Sequence, residues 1–565
     1  MDSSYEPPGT RSLIFFFAAA LRAAAPLVPA LVRAPQYRPA NTTVAPCGRS
    51  SVAELESNVV ASPSVSTYCM SKSLSARPAP PEVALLAAAA DVQGVRLARR
   101  ARHERVGDER DVAAVVPAEA LLERAGGGGG RGAVRPAREM RICAAMSAAV
   151  RQLSPAYPMD SRLTDDGRLE IGGCDALDLV REFGTPALIV AEDDIRARVR
   201  AFRQAFAART ADYEVHFAAK AFACTAVLRL MAAEGLACDV AGGGELHMAL
   251  KAGFDPGRIH LHGNAKSRRE LEEAHDAGVG HVVLDNERDI ERLEEIVAPG
   301  ERQAVQMRIA PGVSPDTHPS ISTGGPNTKF GFNLDAAPPA IERVRASDKL
   351  ELEGLHIHIG SQIVDLAPFR PAIAALADLG DFPMFNLGGG LGVAYTEFDS
   401  PPSVDEYVAF KVDAVEQLAG PGRRILDEPG RALVANSTVT LYTVESVKRN
   451  VMTYVAVDGG MSDNLRPMLY GARYEAMVVG RPGGDTRCHL VGKHCESGDV
   501  LIHDAELNDP RPGDVIVTPA TGAYGFSMAN TYNGQPRPPV VFVSDGDARV
   551  VVRRETYDDL TVRDV

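Results

Sequence analysis

From about residue 187 the chain settles into a regular alternation. Short apolar runs rich in Val, Ile and Phe are separated by amphipathic stretches with the period of helices. The runs are EVHFAAK (214–220), ACDVAG (237–242), RIHLHG (258–263), HVVLDN (281–286), VQMRIAP (305–311), GLHIHIG (354–360), MFNLGGG (384–390) and RILDEPG (424–430). Between them lie stretches such as SRRELEEAHDAG (267–278) and NERDIERLEEIVA (286–298). Eight strands, each separated from the next by a helix, predict an α/β fold, a (β/α)8 TIM barrel over 212–436. Chemistry in such barrels gathers at the C-terminal strand ends, and most of these runs end in a reactive side chain or a Gly-rich turn.

After about residue 436 the helical period fades. STVTLYTVESVKR, TYVAVDGG, CHLVGKHCESGDVLI, DVIVTP, PVVFVS and ARVVVRRE read as strands, which predicts a C-terminal mainly β domain over 437–565. Residues 146–211 supply a strand and helix that lead into the barrel and join that domain. Residues 1–145 are rich in Ala, Arg, Pro, Ser and Gly, hold no sustained period, and close on five glycines, Gly126 to Gly130. Such a segment buries too little apolar surface to offset its ordering entropy, so a disordered extension is expected. Alternatively it is mis-assigned, with Met140, Met146 or Met159 as the true start.

Charge sharpens this division. Residues 1–145 carry 18 Lys and Arg against 13 Asp and Glu, and the remainder carries 42 against 61. An acidic folded part argues against a nucleic-acid partner. Eight cysteines with no CxxC pair suggest neither a disulfide framework nor a zinc site, but free thiols in the cytoplasm. No apolar stretch is long enough to cross a membrane, and SLIFFFAAAL (12–21), preceded by Asp2 and Glu6 and followed by Arg22 and Pro26, lacks the clean basic start of a secretion signal.

The strand ends carry the candidate chemistry. Lys220 closes HFAAK; burial there would lower its pKa and free the amine to attack a carbonyl, as a Schiff-base lysine requires. Gly388, Gly389 and Gly390 offer bare backbone to a phosphate, or simply form a tight turn. Period-two alternation puts His356 and His358 on one face of one strand, with Ser361 just beyond. No acidic partner lies near these histidines in sequence, and no metal is expected. Glu428 and Arg431 in DEPGR end the eighth run, where a carboxylate could keep a pyridine nitrogen protonated, or could be one half of a surface ion pair. Cys495, in HCESGD, is a candidate proton donor or an inert thiol.

Taken together, HFAAKAF, CDVAGGGEL, LHGNAKS, HPSISTGGPNTKFGF, GLHIHIGSQI, NLGGGLGVAY, DEPGRALVA, VDGGMSDNLRPMLYGARYEA, VGKHCESGDVL and ATGAYGFSMANTYN resemble the fold-type III pyridoxal-phosphate decarboxylases, whose barrel is alanine-racemase-like. Within them the likeness is to the diaminopimelate decarboxylases of the actinobacterial type. It runs from about residue 160 to Val565. The resemblance implies pyridoxal 5'-phosphate as cofactor, with Lys220 carrying it and His358 stacking on its ring. Ser361, Gly388, Gly389, Gly390 and Arg431 would hold the phosphate, and Glu428 would pair with the pyridine nitrogen. Arg431, Arg466, Tyr470, Glu496 and Tyr524 would contact substrate, and Tyr524 the cofactor as well. Cys495 would donate a proton from a neighbouring subunit, in a homodimer with shared active sites.

The implied reaction is decarboxylation of meso-2,6-diaminopimelate to L-lysine. Arg466 and Glu496 supply one cation and one anion for the substrate's distal amino-acid end. An ornithine, arginine or carboxynorspermidine decarboxylase is the main alternative. A non-catalytic regulatory homologue would be expected to lack Lys220 or Cys495, and a racemase would use a Tyr/Lys pair. The sequence departs from the family pattern at Gly242, Ala265, Gly525 and Phe526, none of which carries a role above.

Overall fold

The computed structural model describes residues 153–316, 322–325 and 327–565. The extension over 1–145, with Met140 and Met146, lies outside these residues, as does part of HPSISTGGPNTKFGF.

Eight parallel strands close into a barrel: β1 (Tyr213–Ala218), β2 (Ala237–Val240), β3 (Ile259–Leu261), β4 (His281–Leu284), β5 (Gln303–Ala310), β6 (Leu350–His356), β7 (Met384–Asn386) and β8 (Arg424–Asp427). Two registers seal the ring, Val282 beside Val305 between β4 and β5, and Ile425 beside Tyr213 between β8 and β1. All eight predicted runs are therefore barrel strands. The intervening helices start where local chemistry allows. Ser267 caps Arg268–Asp276 in a capping box with Glu270, and Ser403 caps Val404–Ala419 in the same way with Glu406. Asn286 caps Glu287–Ile296.

Both faces of the barrel wall are buried. Val215 and Phe217 of β1 pack into the main apolar core, and full burial of such a side chain stabilises by roughly 1.5–3 kcal/mol. The alternate position, His216, belongs to a stack of imidazoles with His260 and His281. Their ring centroids are 4.1 and 4.5 Å apart. This layer is polar where most barrels place branched aliphatics.

The second sheet carries the strands Val500–Leu507, Thr486–Val491, Thr453–Val457, Thr438–Arg449, Ala187–Ala191, Val540–Ser544 and Asp547–Val552 in that order. Ala187–Ala191 precedes the barrel in sequence, yet pairs antiparallel with Thr438–Leu441 and parallel with Val540–Val543. The chain thus enters the barrel from within the β sheet and returns to that sheet on leaving. Hydrogen bonds tie a loop of this sheet to the barrel mouth: Tyr524 N–H donates to Ala221 O over 2.7 Å, one residue past Lys220, and Ala223 N–H donates to Ser527 Oγ over 2.9 Å.

Candidate active site

A cavity opens at the C-terminal ends of the barrel strands. Lys220, Asp239, His358, Ser361, Gly390, Glu428, Arg431 and Tyr524 line it. Lys220 sits in the single turn Ala219–Ala221 that follows β1, exposed to the cavity although protein surrounds the site. Burial would lower its pKa, but Asp239, with Tyr524 and Glu428, outweighs that and raises it. The sequence argument for a depressed lysine pKa is thus overturned. The neighbours in HFAAKAF are apolar, whereas the acidic groups that raise the lysine's pKa come from other strands.

Glu428 follows β8 and is buried. Asn386 donates its amide to Oε1 over 2.6 Å, His262 Nε2 lies 3.0 Å from Oε1, and His356 Nε2 lies 3.2 Å from Oε2. Burial alone would raise this carboxyl, but the two imidazoles hold it well below the usual carboxylate range. The expectation that His356 and His358 share a strand needs correction. β6 ends at His356, which turns to Glu428. His358 lies beyond it and accepts a hydrogen bond from Gly389 N–H at Nδ1 over 3.3 Å. Burial, reinforced by the nearby Lys220, pushes His358 well below its ordinary range.

The glycine turn is packed backbone to backbone. A Cβ on Gly388 would stand 2.3 Å from Ile357 O, and one on Gly389 would stand 2.2 Å from Glu428 O. Their amides are already used, Gly388 N–H by Asn386 Oδ1 and Gly389 N–H by His358. Gly390 alone of the three lines the cavity. Beneath the turn, the buried Lys411 donates to Leu387 O and Gly388 O over 3.2 and 3.0 Å, and pairs with Asp427. Breaking such a buried pair typically costs about 3–5 kcal/mol. Lys411 gave no sequence signal because it sits inside an ordinary amphipathic helix.

Arg431 opens a one-turn helix after β8 and donates to Ser361 Oγ over 3.2 Å from Nε and 2.9 Å from Nη2. Its Nη1 bonds Tyr395 OH, and its guanidinium lies over the Tyr524 ring at 5.0 Å. Arg466 begins the short helix Arg466–Tyr470, is buried, and bonds Tyr474 OH. Among the described residues neither arginine pairs with a carboxylate, and the buried Nε of Arg466 has no partner. A buried cation without a protein anion is a receptor for an anionic ligand.

Tyr470 ends that short helix half-buried, outside the cavity lining. Cys495 and Glu496 do not line the cavity either; both are exposed. Their loop is rigidly built. Asp499 accepts from Met461 N–H, His494 N–H and His494 Nδ1 over 2.7, 2.9 and 2.7 Å, and Cys495 N–H donates to Asn533 Oδ1 over 2.8 Å.

Sequence reasoning missed Asp239, His262, Asn386, Tyr395 and Tyr474. Asn386 ends β7, Asp239 lies one residue before the end of β2 and His262 one residue beyond β3, so the strand-end rule could have found these three. His260, His262 and Glu428 also bring three ligand atoms within 4.8 Å of one another. That grouping was invisible in sequence because two different strands supply it.

The site fits a pyridine ring bearing a phosphate. An amine and a carboxylate face one cavity, an imidazole can cover a ring face, and an unneutralised arginine with a serine hydroxyl marks an anion site. Barrel and site together define the class, the pyridoxal-dependent decarboxylases. Residues 192–435 match the family model described as the pyridoxal binding domain of pyridoxal-dependent decarboxylases. The chain is 45% identical over 425 residues to the diaminopimelate decarboxylase of Bacillus subtilis, covering 72% of this chain and 97% of that one. It is 43% identical over 433 residues to that of Mycobacterium tuberculosis, with 72% and 96% covered. The solved structure of the M. jannaschii diaminopimelate decarboxylase in complex with L-lysine superposes with a TM-score of 0.68 at 32% identity, covering 72% of this chain and 98% of that one. The chain belongs to the diaminopimelate decarboxylase family.

Proposed function

We propose a division of labour for this enzyme, which decarboxylates meso-2,6-diaminopimelate to L-lysine and carbon dioxide in the last step of lysine biosynthesis. Pyridoxal phosphate, when bound, supplies an electron sink for the pair left by the departing carboxylate. Lys220 is the attachment residue. Glu428, kept anionic by His262 and His356, holds a proton on the pyridine nitrogen. Neutral His358 covers one face of the ring. Ser361, Gly390 and Arg431 take the phosphate, with Gly388 and Gly389 fixing the turn behind them. Tyr524 bounds the cavity on the side of the β sheet.

The observation that carries the substrate reading is the buried Arg466, which has no carboxylate partner among the described residues. Diaminopimelate offers it a distal carboxylate. Ornithine and lysine leave it unpaired, at a cost on the order of 3–5 kcal/mol. Arg431, Tyr470 and Tyr524 complete the substrate contacts on this chain.

Cys495 and Glu496 act from a second copy of the chain, in a homodimer with shared sites. Their exposure on a loop pinned by Asp499 supports this, since a rigid exposed tip is suited to enter a neighbour's cavity. The Cys495 thiol then gives its proton to the carbon that lost the carboxylate, and Glu496 receives the distal amine. Five described cysteines, Cys174, Cys224, Cys238, Cys488 and Cys495, are free thiols, which favours a reducing compartment such as the cytoplasm.

Subunit mixing tests this arrangement. Lys220→Ala and Cys495→Ala are each inactive or strongly impaired, the second by roughly 10²–10⁴-fold. Unfolded together and refolded, they regain about a quarter of parental activity, because mixed dimers restore one intact site. No recovery on mixing would place Cys495 outside a shared site.

A further inference from the structure

Arg431 and Arg466 are held in one aromatic frame made by Tyr395 and Tyr474. The two rings meet edge to face, with centroids 5.2 Å apart at 82°. Tyr395 OH bonds Arg431 Nη1, and Tyr474 OH bonds Arg466 Nη1. The Arg466 guanidinium lies 4.6 Å from the Tyr395 ring centroid and 5.5 Å from that of Tyr474. Both tyrosines are buried, 6% and 4% exposed, so these contacts are not solvent-screened surface pairs.

The frame is braced from outside. Glu475, next to Tyr474, accepts hydrogen bonds from Ser154 OH and from Glu397 N–H, the latter over 2.9 Å. Ala394 O, next to Tyr395, accepts from Asn436 Nδ2 over 2.7 Å. Backbone on both sides of the pair is therefore fixed.

The choice of tyrosine has a chemical consequence. A buried guanidinium needs compensation for lost water. An aspartate or glutamate would provide it, but would also neutralise the charge and compete with an incoming carboxylate. An aromatic face and a phenolic hydroxyl stabilise the cation and leave its charge available to a ligand.

We propose that Tyr474 is a specificity-determining positioning residue that aims Arg466 at the substrate's distal carboxylate, and that Tyr395 couples this arginine to Arg431 at the phosphate end. The proposal rests on the reading of Arg466 given above. Tyr474 acts in binding, whereas Tyr395 touches both binding and cofactor retention.

The test uses the full-length holoenzyme with meso-diaminopimelate. Tyr474→Phe keeps the ring and removes one hydroxyl from a charged hydrogen bond, so KM rises roughly tenfold or more. Its kcat and cofactor Kd stay close to the parent's. Tyr395→Phe raises both KM and the cofactor Kd. A purely structural role would lower Tm without this selective split. If Tyr474→Phe does not fold, Tyr474→Met, which fills the space without a hydroxyl, is read by the same criterion. Arg466→Met is measured alongside. Parental KM in the Tyr474 variant with a raised KM in Arg466→Met overturns the role of Tyr474 and leaves the substrate reading standing. Parental KM in both variants overturns the reading of Arg466 and the proposal with it.

Discussion

The side-chain amide of Asn386 donates to Oε1 of Glu428 over 2.6 Å, so the carboxylate after β8 is aimed by the neighbouring strand β7. The same amide donates to Gln306 Oε1 over 3.0 Å, which fixes its orientation from β5. Three strands therefore set the direction of one carboxylate. Asn386→Ala should lower turnover roughly tenfold or more, the scale of one hydrogen bond to a charged group. Glu428→Gln should cost more, roughly 10²–10³-fold, because it removes the charge itself. Equal effects would mean that aim and charge cannot be separated here; an Asn386→Ala enzyme with parental turnover would remove aim from the account.

Asp239 holds Lys220 in its ammonium form beyond the pH that burial alone would allow. The amine must lose this proton before it can attach the cofactor. Asp239→Asn should therefore shift the pH profile of covalent attachment, followed by absorbance, to lower pH. Lys220→Ala should abolish attachment and turnover. An unmoved profile in Asp239→Asn would show that Asp239 does not set the lysine's protonation.

The barrel was legible because most strand runs end in a punctuating Gly, Pro or Asn and three of the intervening helices start at a capping Ser or Asn. All eight runs emerged at their expected places. The parts of the site that lie at run ends, Lys220, Glu428 and Gly390, were legible for the same reason. What pairs with what was not. His356 and His358 look like one alternating pair, yet the strand stops between them and sends them to different partners. The charge on Lys220 depends on Asp239, supplied by β2. Tyr474 follows Arg466 by eight residues in the same segment, and only the folded chain puts its hydroxyl on the guanidinium. Exposure of Cys495 has no sequence signature at all.

His356 gives the fold a pH dependence. Burial, eased by Glu428, lowers its pKa from 6.5 to about 4. Above pH 6.5 the folded and unfolded chains both hold it neutral. Between pH 6.5 and 4 the unfolded chain takes a proton that the folded chain refuses, so stability falls as pH falls, by up to about 1.4 kcal/mol per pH unit. His356→Gln, which keeps a donor toward Glu428, should flatten this limb in urea denaturation. An unchanged slope would assign the acid limb to other groups.

Residues ahead of Met159 brace the site. Ser154 bonds Glu475, Ala156 O accepts from Asn436 over 3.1 Å, and Tyr157 is buried. A chain shortened to begin at Met146 keeps these contacts and should match the parent in KM and Tm. One beginning at Met159 loses them, and should show a raised KM and a Tm lower by several degrees. Parental values in the shorter chain would show the brace to be dispensable.

The enzyme decarboxylates an amino acid with a carboxylate at each end. The direct measurement is carbon dioxide and L-lysine release by the full chain with pyridoxal phosphate, offered meso-diaminopimelate, L-ornithine, L-arginine and L-lysine in parallel. Turnover of meso-diaminopimelate alone, with L-lysine as product, is the predicted result. Turnover of ornithine, arginine or lysine at comparable kcat/KM would contradict it, because a buried Arg466 left without its carboxylate could not then be what selects the substrate.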